Sequence, residues 1–355
     1  MIRYLGIVLI CLLAACARAQ EDRLTGNDEL AEPVMVVDLL PELRSSSCPA
    51  GLSRVDGSPI AIAHEALPLG GDEDAALTEV TFSGAWHLTS EEPNFGGLSG
   101  LAALPSGDLI AVSDAGAFFW IGMTEGEPNG DGRVGYMRGA DGNLLGGKRQ
   151  GDSEGVELID GVALVSFERD HRVLAFDLDG CGANARGVLV TDIPDRSEGL
   201  PRGFRSNQGA EALMLDSEGF LVVGLETGAA GPSESAISIL TTNGMAFNQR
   251  LSRPNGPFLV GLDGQGPEIF GLFRSYARPV GNLIEVRSFS DLSGAGQSRI
   301  RLARPYTVDN FEGIATARLP GGGARLYMIS DDNFSSRQRT LLMAFDVPPA
   351  GTPED

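Results

Sequence analysis

Histidine is almost absent from this chain: only His64, His87 and His171 occur in 355 residues. Side chains that titrate near neutrality are therefore scarce, and chemistry built on a histidine base has little to draw on. Cysteine is as sparse, four residues with no C-x-x-C pair and no Cys/His cluster, which leaves no basis for a zinc site. Positive charge is short too. Lys and Arg number 27 against 48 Asp and Glu, a net charge of −21. A surface this acidic repels nucleic-acid phosphates and anionic lipid, and neither is expected as a partner. Long apolar runs are missing after residue 15, so no later segment is expected to span a bilayer.

What is plentiful points to β-structure. The chain has 48 glycines and 20 prolines, helix breakers that an all-β fold places in its turns. With 42% hydrophobic residues there is enough apolar material for a sizeable core, and wholesale disorder is excluded. The acidity has two readings: solubility, or carboxylates gathered to hold a divalent cation.

Residues 1–19 read as an export signal. Met1-Ile2-Arg3 is a short basic start, and the apolar stretch 5–15 is too short to cross a bilayer. Leu13-Ala14-Ala15-Cys16 resembles the bacterial lipobox, with Cys16 as the lipidated residue. Ala17-Arg18-Ala19 before Gln20 is a competing site of ordinary secretion. The protein is thus expected to be exported and periplasmic, an outer-membrane lipoprotein touching the membrane only through its anchor. The second site would make it soluble in the periplasm or secreted. Cys11 leaves with the signal. Cys48 and Cys181 remain, either as one disulfide tying the N-terminal segment to the body or as two separate buried thiols.

Residues 20–78 read as a leader or tether, with short strands expected at 34–40 and 60–66. From residue 79 to 347 one unit recurs: a short strand, a turn, then a hydrophobic strand that ends abruptly in polar residues. The second strands end at Asp114, Glu168, Glu226, Arg274 and Asp331, which lie 54, 58, 48 and 57 residues apart. That period fits a β-propeller of five four-stranded blades. A sixth blade is left open by the strand-like sequence in the leader. The last unit lacks a strand, and the otherwise unassigned run 80–88 would supply it and close the ring. Residues 348–355 form a tail.

Within a blade the first two strands are antiparallel, so the start of one adjoins the end of the other, and all such junctions fall on one face beside the central channel. Ser99 and Asp114, Glu154 with Glu168 and Arg169, Glu211 with Glu226, Arg274, and Glu312 with Asp331, Asp332 and Asn333 are expected there. Eight carboxylates would repel one another, and a bound Ca²⁺ would relieve that. The two guanidinium groups could fork onto a phosphate or carboxylate. The plainer alternative is that each acid bonds the backbone of its own turn. Gly151-Asp152-Ser153-Glu154-Gly155 also matches the G-x-S-x-G elbow, but a strand rather than a helix is expected to follow it. Glu127 to Gly132 matches half a calcium loop, without the acid at position twelve.

Asn310-Phe311-Glu312-Gly313-Ile314, followed by Ser330-Asp331-Asp332-Asn333-Phe334 and Arg339-Thr340-Leu341-Leu342, resembles the closing signature of the phytase-like family. That family is also labelled "esterase-like activity of phytase". Asp152-Ser153-Glu154-Gly155, Glu211-Ala212 and Gly97-Leu98-Ser99-Gly100-Leu101 match its other motifs. The resemblance implies an exported propeller related to calcium-dependent phytases, acting on small phosphorylated substrates. The fourth unit departs from it, since no acid precedes residue 258. The resulting expectation is a Ca²⁺-dependent phosphate-ester hydrolase, monomeric, with Glu154, Glu211 and Glu312 catalytic. Arg169, Arg274 and Asn333 would bind substrate, and Asp114, Glu226, Asp331 and Asp332 the metal. The alternative is a non-catalytic envelope scaffold that binds a small ligand or a protein, which the scarcity of histidine favours.

Overall fold

The computed structural model describes residues 31–349 apart from 197–199, 201–202, 207, 229, 254–255 and 266–267. The expected signal, Cys11, Cys16, both cleavage sites, residues 20–30 and most of the tail lie outside the described residues. No described helix is long and apolar enough to cross a membrane.

Three short helices and twenty-two strands are found among the described residues. After helix α1 (Val36–Ser47) come strands β1 (Ser58–Ala61) and β2 (Ala63–Ala66), helix α2 (Glu73–Ala76) and strand β3 (Thr81–Thr89). Blade 1 is β4 (Leu98–Ala103), β5 (Leu109–Ser113), β6 (Ala117–Thr124) and β7 (Glu127–Tyr136). Blade 2 follows with β8 (Ser153–Ile159), β9 (Val162–Phe167), β10 (Arg172–Asp177), helix α3 (Leu178–Cys181) and β11 (Val188–Asp192). Blade 3 is β12 (Ala210–Leu215), β13 (Leu221–Leu225), β14 (Glu234–Ile239) and β15 (Gln249–Ser252). Blade 4 holds β16 (Phe258–Gln265), β17 (Glu268–Ala277), β18 (Gly281–Phe289) and β19 (Gln297–Leu302). Blade 5 has β20 (Phe311–Arg318), β21 (Ala324–Ser330) and β22 (Leu341–Val347), and takes β3 as its fourth strand.

That last pairing closes the ring. Leu341 faces His87 and Phe345 faces Phe82 across the β3–β22 ladder, so the two ends of the repeat share one sheet and leave no open edge between them. The expected strand at 60–66 is present but bends at Ile62: β1 adds to the outer edge of blade 1 and β2 to that of blade 5. Ile62 is buried between them. The segment thus straddles the closure instead of seeding a sixth blade, and the described strands form five.

The expected strand at 34–40 is corrected to α1. Val36, Leu40, Leu43 and Ser47 recur at helical spacing and are buried, packed with Val173, Ala175, Leu240 and Met245 of blades 2 and 3. Val34, Val36 and Val37 favour extended chain by their branched side chains. Inside the helix Pro41 forgoes one hydrogen bond, and the carbonyl concerned belongs to Val37, an exposed residue. Cys48, at the end of α1, is bonded to Cys181 of α3, with Cα atoms 5.5 Å apart.

The second strand of each blade has neighbours in its own sheet and a blade against each face. In blades 1 to 3 it therefore reads as an apolar run (Leu-Ile-Ala-Val-Ser, Val-Ala-Leu-Val-Ser-Phe, Leu-Val-Val-Gly-Leu) and is buried throughout. The core follows suit: five hydrophobic clusters, one in each contact between neighbouring blades. At the axis the innermost strands pack backbone to backbone. A Cβ on Gly100 would lie 2.5 Å from the Glu154 carbonyl, and one on Gly155 would lie 2.8 Å from that of Glu211. Glycine is required there by its neighbour and not by a turn.

Candidate functional site

The site is built from a backbone device repeated in every blade. The ladder between the first and second strands slips at Leu98/Gly100, Ser153/Val156, Ala210/Ala212, Leu259/Gly261 and Phe311/Gly313. A β-bulge re-aims the residue it leaves unpaired, and these residues include Ser99, Glu154, Glu211, Val260 and Glu312. Just beyond, the amides of Asp114, Glu168, Glu226 and Asp331 bond the carbonyls of Gly97, Asp152, Gly209 and Asn310 at 2.8–3.0 Å. In blade 4 Arg274 faces Phe258 instead. Each blade thus places three residues at the channel mouth, one of them glycine in blades 1 and 3 (Gly97 and Gly209).

They surround one cavity of about 320 Å³. Asp114, Glu154, Glu168, Glu211, Glu226, Glu312 and Asp331 line it, as do Arg169, Arg274, Asn333 and Ser99. Asp332 does not: its carboxylate accepts from the amides of Gly97 and Phe334 at 3.0 and 2.9 Å and from the Thr340 hydroxyl at 3.0 Å, tying the loop after β21 to blade 1. Lys148, Asp152 and Asn310 also line the cavity and were not foreseen as site residues. Asp152 had a signal, since it stands two residues before the bulge, as Asn310 does. Lys148 lies in the loop between blades 1 and 2, where no repeat register could place it.

Below the acids the channel narrows to about 10 Å³ between Leu101, Val156, Leu213, Leu262 and Ile314, one from each blade. The cavity is therefore a cup with a hydrocarbon floor, which strengthens every charge interaction above it. Eight carboxylates share it with three cations. Arg274 is held by three partners: Glu226 at 3.0 Å, Glu312 at 2.9 Å and the Asn310 carboxamide oxygen. Arg169 bonds Asp152 at 2.5 Å, and Lys148 bonds Asp114 at 3.0 Å. Asn310 also donates to Glu312 at 2.9 Å.

The remaining acids are poorly compensated. Glu154 and Glu211 are 8% and 7% exposed, and their carboxylates have no hydrogen-bond or ion-pair partner among the described residues. Asp114 Oδ1 is buried and unpartnered as well. Burial, then the charges of Glu312 and Glu168, raises Glu154 well above the usual carboxylate range. Burial, then Glu154 and Glu226, does the same to Glu211. Burial lifts Glu312 to about 7 despite Arg274, and Glu168 to about 7, with Asp152 adding to it. Asp331 reaches about 8 through burial and the charge of Glu312. Arg274 stays charged: burial opposes it, but Glu312, Glu226 and Glu211 more than offset that. Carboxylate oxygens of Glu154, Glu211 and Glu312 lie within 4.8 Å of one another, and so do those of Asp152, Glu154 and Glu168.

Two acids outside the cup do structural work. Glu157 accepts from the Leu215 amide of the next blade at 3.1 Å, and Asp263 from the Thr316 amide at 2.5 Å and its hydroxyl at 3.0 Å. Ser153, the elbow serine, is buried, opens a strand and donates to the Ser113 carbonyl at 2.6 Å. The half calcium loop from Glu127 lies within β7. His171 stacks edge-on against Phe204 and does not line the cup. A larger recess of about 720 Å³ near Glu79, Glu268 and Arg299 lies at the opposite end of the strands, and those three charges pair with one another.

Fold and site together define a five-bladed propeller with an oxygen-rich acidic cup at one mouth of its channel. The family model described as "Phytase-like: Esterase-like activity of phytase" matches residues 93–334, and the chain belongs to that family. No curated protein matches it. Among solved structures it is similar to the PQQ-bound aldose sugar dehydrogenase of Streptomyces coelicolor, at 11% identity and a TM-score of 0.40, over 80% of this chain and 98% of that one. It is also similar to the endo-arabinase of Bacteroides thetaiotaomicron, at 10% identity and a TM-score of 0.42, over 81% and 98% of the two chains. A protein of unknown function from Dyadobacter fermentans scores 0.42 at 10% identity, over 83% and 97%. Likeness at this level does not bear on the chemistry of the cup.

Proposed function

We propose that the cup binds a divalent cation of the calcium kind and hydrolyses phosphate esters, in the cell envelope and anchored through Cys16. One observation carries the reading: three bulge glutamates from three blades aim at one point, and two of them are more than nine-tenths buried without a partner. The fit to a hard cation rests on the donor set, all oxygen, and on the orphaned Asp114 Oδ1. Glu154, Glu211 and Glu312 would hold the ion, with Asp114 and Asp331 beside them. When bound it would polarise a phosphoryl oxygen and acidify a water. The chain's own groups do the rest. Glu168 lies within 4.8 Å of Glu154, so its carboxylate can take a proton from that water. Arg169 and Lys148, the exposed cations at the rim, orient the substrate phosphate. Arg274, already saturated, holds Glu226 and Glu312 in place at the wall of the cup.

The test is calcium binding by calorimetry together with phosphate release from p-nitrophenyl phosphate, with and without EDTA. Calcium should bind and chelation should abolish turnover, and Glu154→Gln or Glu211→Gln should weaken binding by about a hundredfold or more. Turnover indifferent to EDTA would remove the metal from the reaction. Calcium binding without turnover on any phosphate ester would leave the scaffold reading in its place.

A further inference from the structure

The face that carries the cup is not level. In blade 4 the ladder between β17 and β18 runs on past Arg274, pairing Ser275 with Leu283, Tyr276 with Asn282 and Ala277 with Gly281. In the other blades the corresponding ladder stops short of the channel-mouth residue. The last pairs there are Ser113 with Ala117, Phe167 with Arg172, Gly224 with Ile237 and Ile329 with Leu342. At about 3.4 Å per residue, the added pairs carry the blade 4 turn about 10 Å beyond Arg274.

Residues 276–280 at its tip are all exposed, Tyr276 by 65% and Val280 by 55%. Two large side chains with apolar bodies thus stand mostly in solvent at the end of one hairpin. The cations beside them are equally unengaged. Arg278 is at the tip, Arg304 Nε would lie 3.4 Å from a Cβ on Gly281 at the base, and Arg301 sits on β19 opposite Glu285. All three are exposed and make no ion pair among the described residues. The acids of this quarter are taken, Glu285 by Arg287 at 3.0 Å and Asp309 by Arg339 at 3.6 Å. In a chain of net charge −21, the raised turn carries a local excess of positive charge.

We propose that the blade 4 turn docks on an anionic lipid surface, with Tyr276 and Val280 entering the headgroup layer and Arg278, Arg301 and Arg304 meeting lipid phosphates. The shape favours a bilayer over a protein partner. A narrow convex tip has no groove to receive a side chain, whereas a headgroup layer parts around it. Tyrosine suits that depth, with an apolar ring and a polar end. Each Arg close to an anionic leaflet strengthens attachment about fivefold. The acids of the cup oppose the contact only within a Debye length, about 10 Å at 0.1 M salt, and the raised turn holds them about that far off. Docked in this way, the channel mouth faces the membrane. The contact does not depend on what the cup catalyses.

The experiment places a reporter at the tip. Val280→Trp is mixed with vesicles of brominated phosphatidylcholine, with or without about 30% phosphatidylglycerol. Wild type supplies the background from Trp86 and Trp120. Bromine quenches only an indole that reaches the lipid, so attachment through another part of the chain does not mimic the signal. The added emission should fall about twofold on anionic vesicles, stay level on neutral ones and recover in about 0.5 M NaCl, which shortens the Debye length. Adding Arg278→Gln/Arg301→Gln/Arg304→Gln, at an unchanged melting temperature, should raise the lipid needed for that quenching about tenfold or more. Equal quenching on neutral and anionic vesicles, or quenching indifferent to the three Arg substitutions, overturns the proposal. So does an introduced indole left unquenched by anionic vesicles, whether or not the protein binds them elsewhere.

Discussion

Blades 2 and 4 share a backbone and differ at every charged position of the channel mouth. Blade 2 presents Asp152, Glu154 and Glu168, whereas blade 4 presents Phe258, Val260 and Arg274 at the same places in the ladder. The bulge is common to both, so the fold dictates where a side chain points and leaves open what it carries. Blade 2 concentrates negative charge and is relieved only from the rim, by Arg169 and Lys148. Blade 4 buries its Val260 and sends one cation between the acids of blades 3 and 5. A ring of five identical acidic blades would be hard to keep folded, and the departure in blade 4 is what makes the acids of the other four tolerable.

The sharpest way to break this contrast is Arg274→Met. It strands Glu226 and Glu312 without their cation, and losing one partner of a buried pair costs about 3–5 kcal/mol. Urea unfolding at pH 8 should show that loss, and at pH 5 part of it should vanish because Glu312, lifted to about 7, is then protonated. An equal loss at both pH values would mean that packing, not charge, is what Arg274 supplies.

The acids of blade 2 and its neighbours set the next effect. Glu168 and Glu312 sit at about 7 and Asp331 at about 8 in the folded chain, above their unfolded values near 4. Between those limits the native state holds more protons than the unfolded one, so stability falls as pH rises. For one such acid the loss is on the order of 3 kcal/mol. The metal-free protein should therefore melt about 5 °C or more lower at pH 8.5 than at pH 5. Glu312→Gln should flatten that profile, and millimolar calcium should restore the high-pH stability. A melting temperature that climbs from pH 5 to pH 8.5 without metal would refute the crowding argument.

The smallest effect is expected at Ser153, beside the acids of blade 2. Ser153→Ala removes one hydroxyl bond to the Ser113 carbonyl and should cost about 1 kcal/mol in a thermal melt. Phosphate release should be unchanged, and its abolition would revive a serine nucleophile.

Much of the site was legible because it repeats. The spacing of Asp114, Glu168, Glu226, Arg274 and Asp331 locates the junctions, and antiparallel pairing brings Glu154, Glu211 and Glu312 to the same end. What could not be read were residues outside the repeat. Lys148 comes from a connecting loop, and Asp332 differs from Asp331 only by one position along the chain, yet turns away to tie a loop. Residue type alone does not distinguish a carboxylate that faces a cavity from one that accepts backbone amides.

The strand pattern, the five-unit period and the borrowed strand that closes the ring are readable along the chain, because they follow from local alternation, turn residues and register. Tertiary structure alone decided that residues 36–47 coil into a helix, since only the exposed groove between blades 2 and 3 rewards burial of Val36, Leu40 and Leu43 at helical spacing. It also decided which charges neutralise one another. Arg274 meets Glu226 and Glu312 from 48 and 38 residues away, across two blade boundaries, and distances of that kind exist only once the ring has closed.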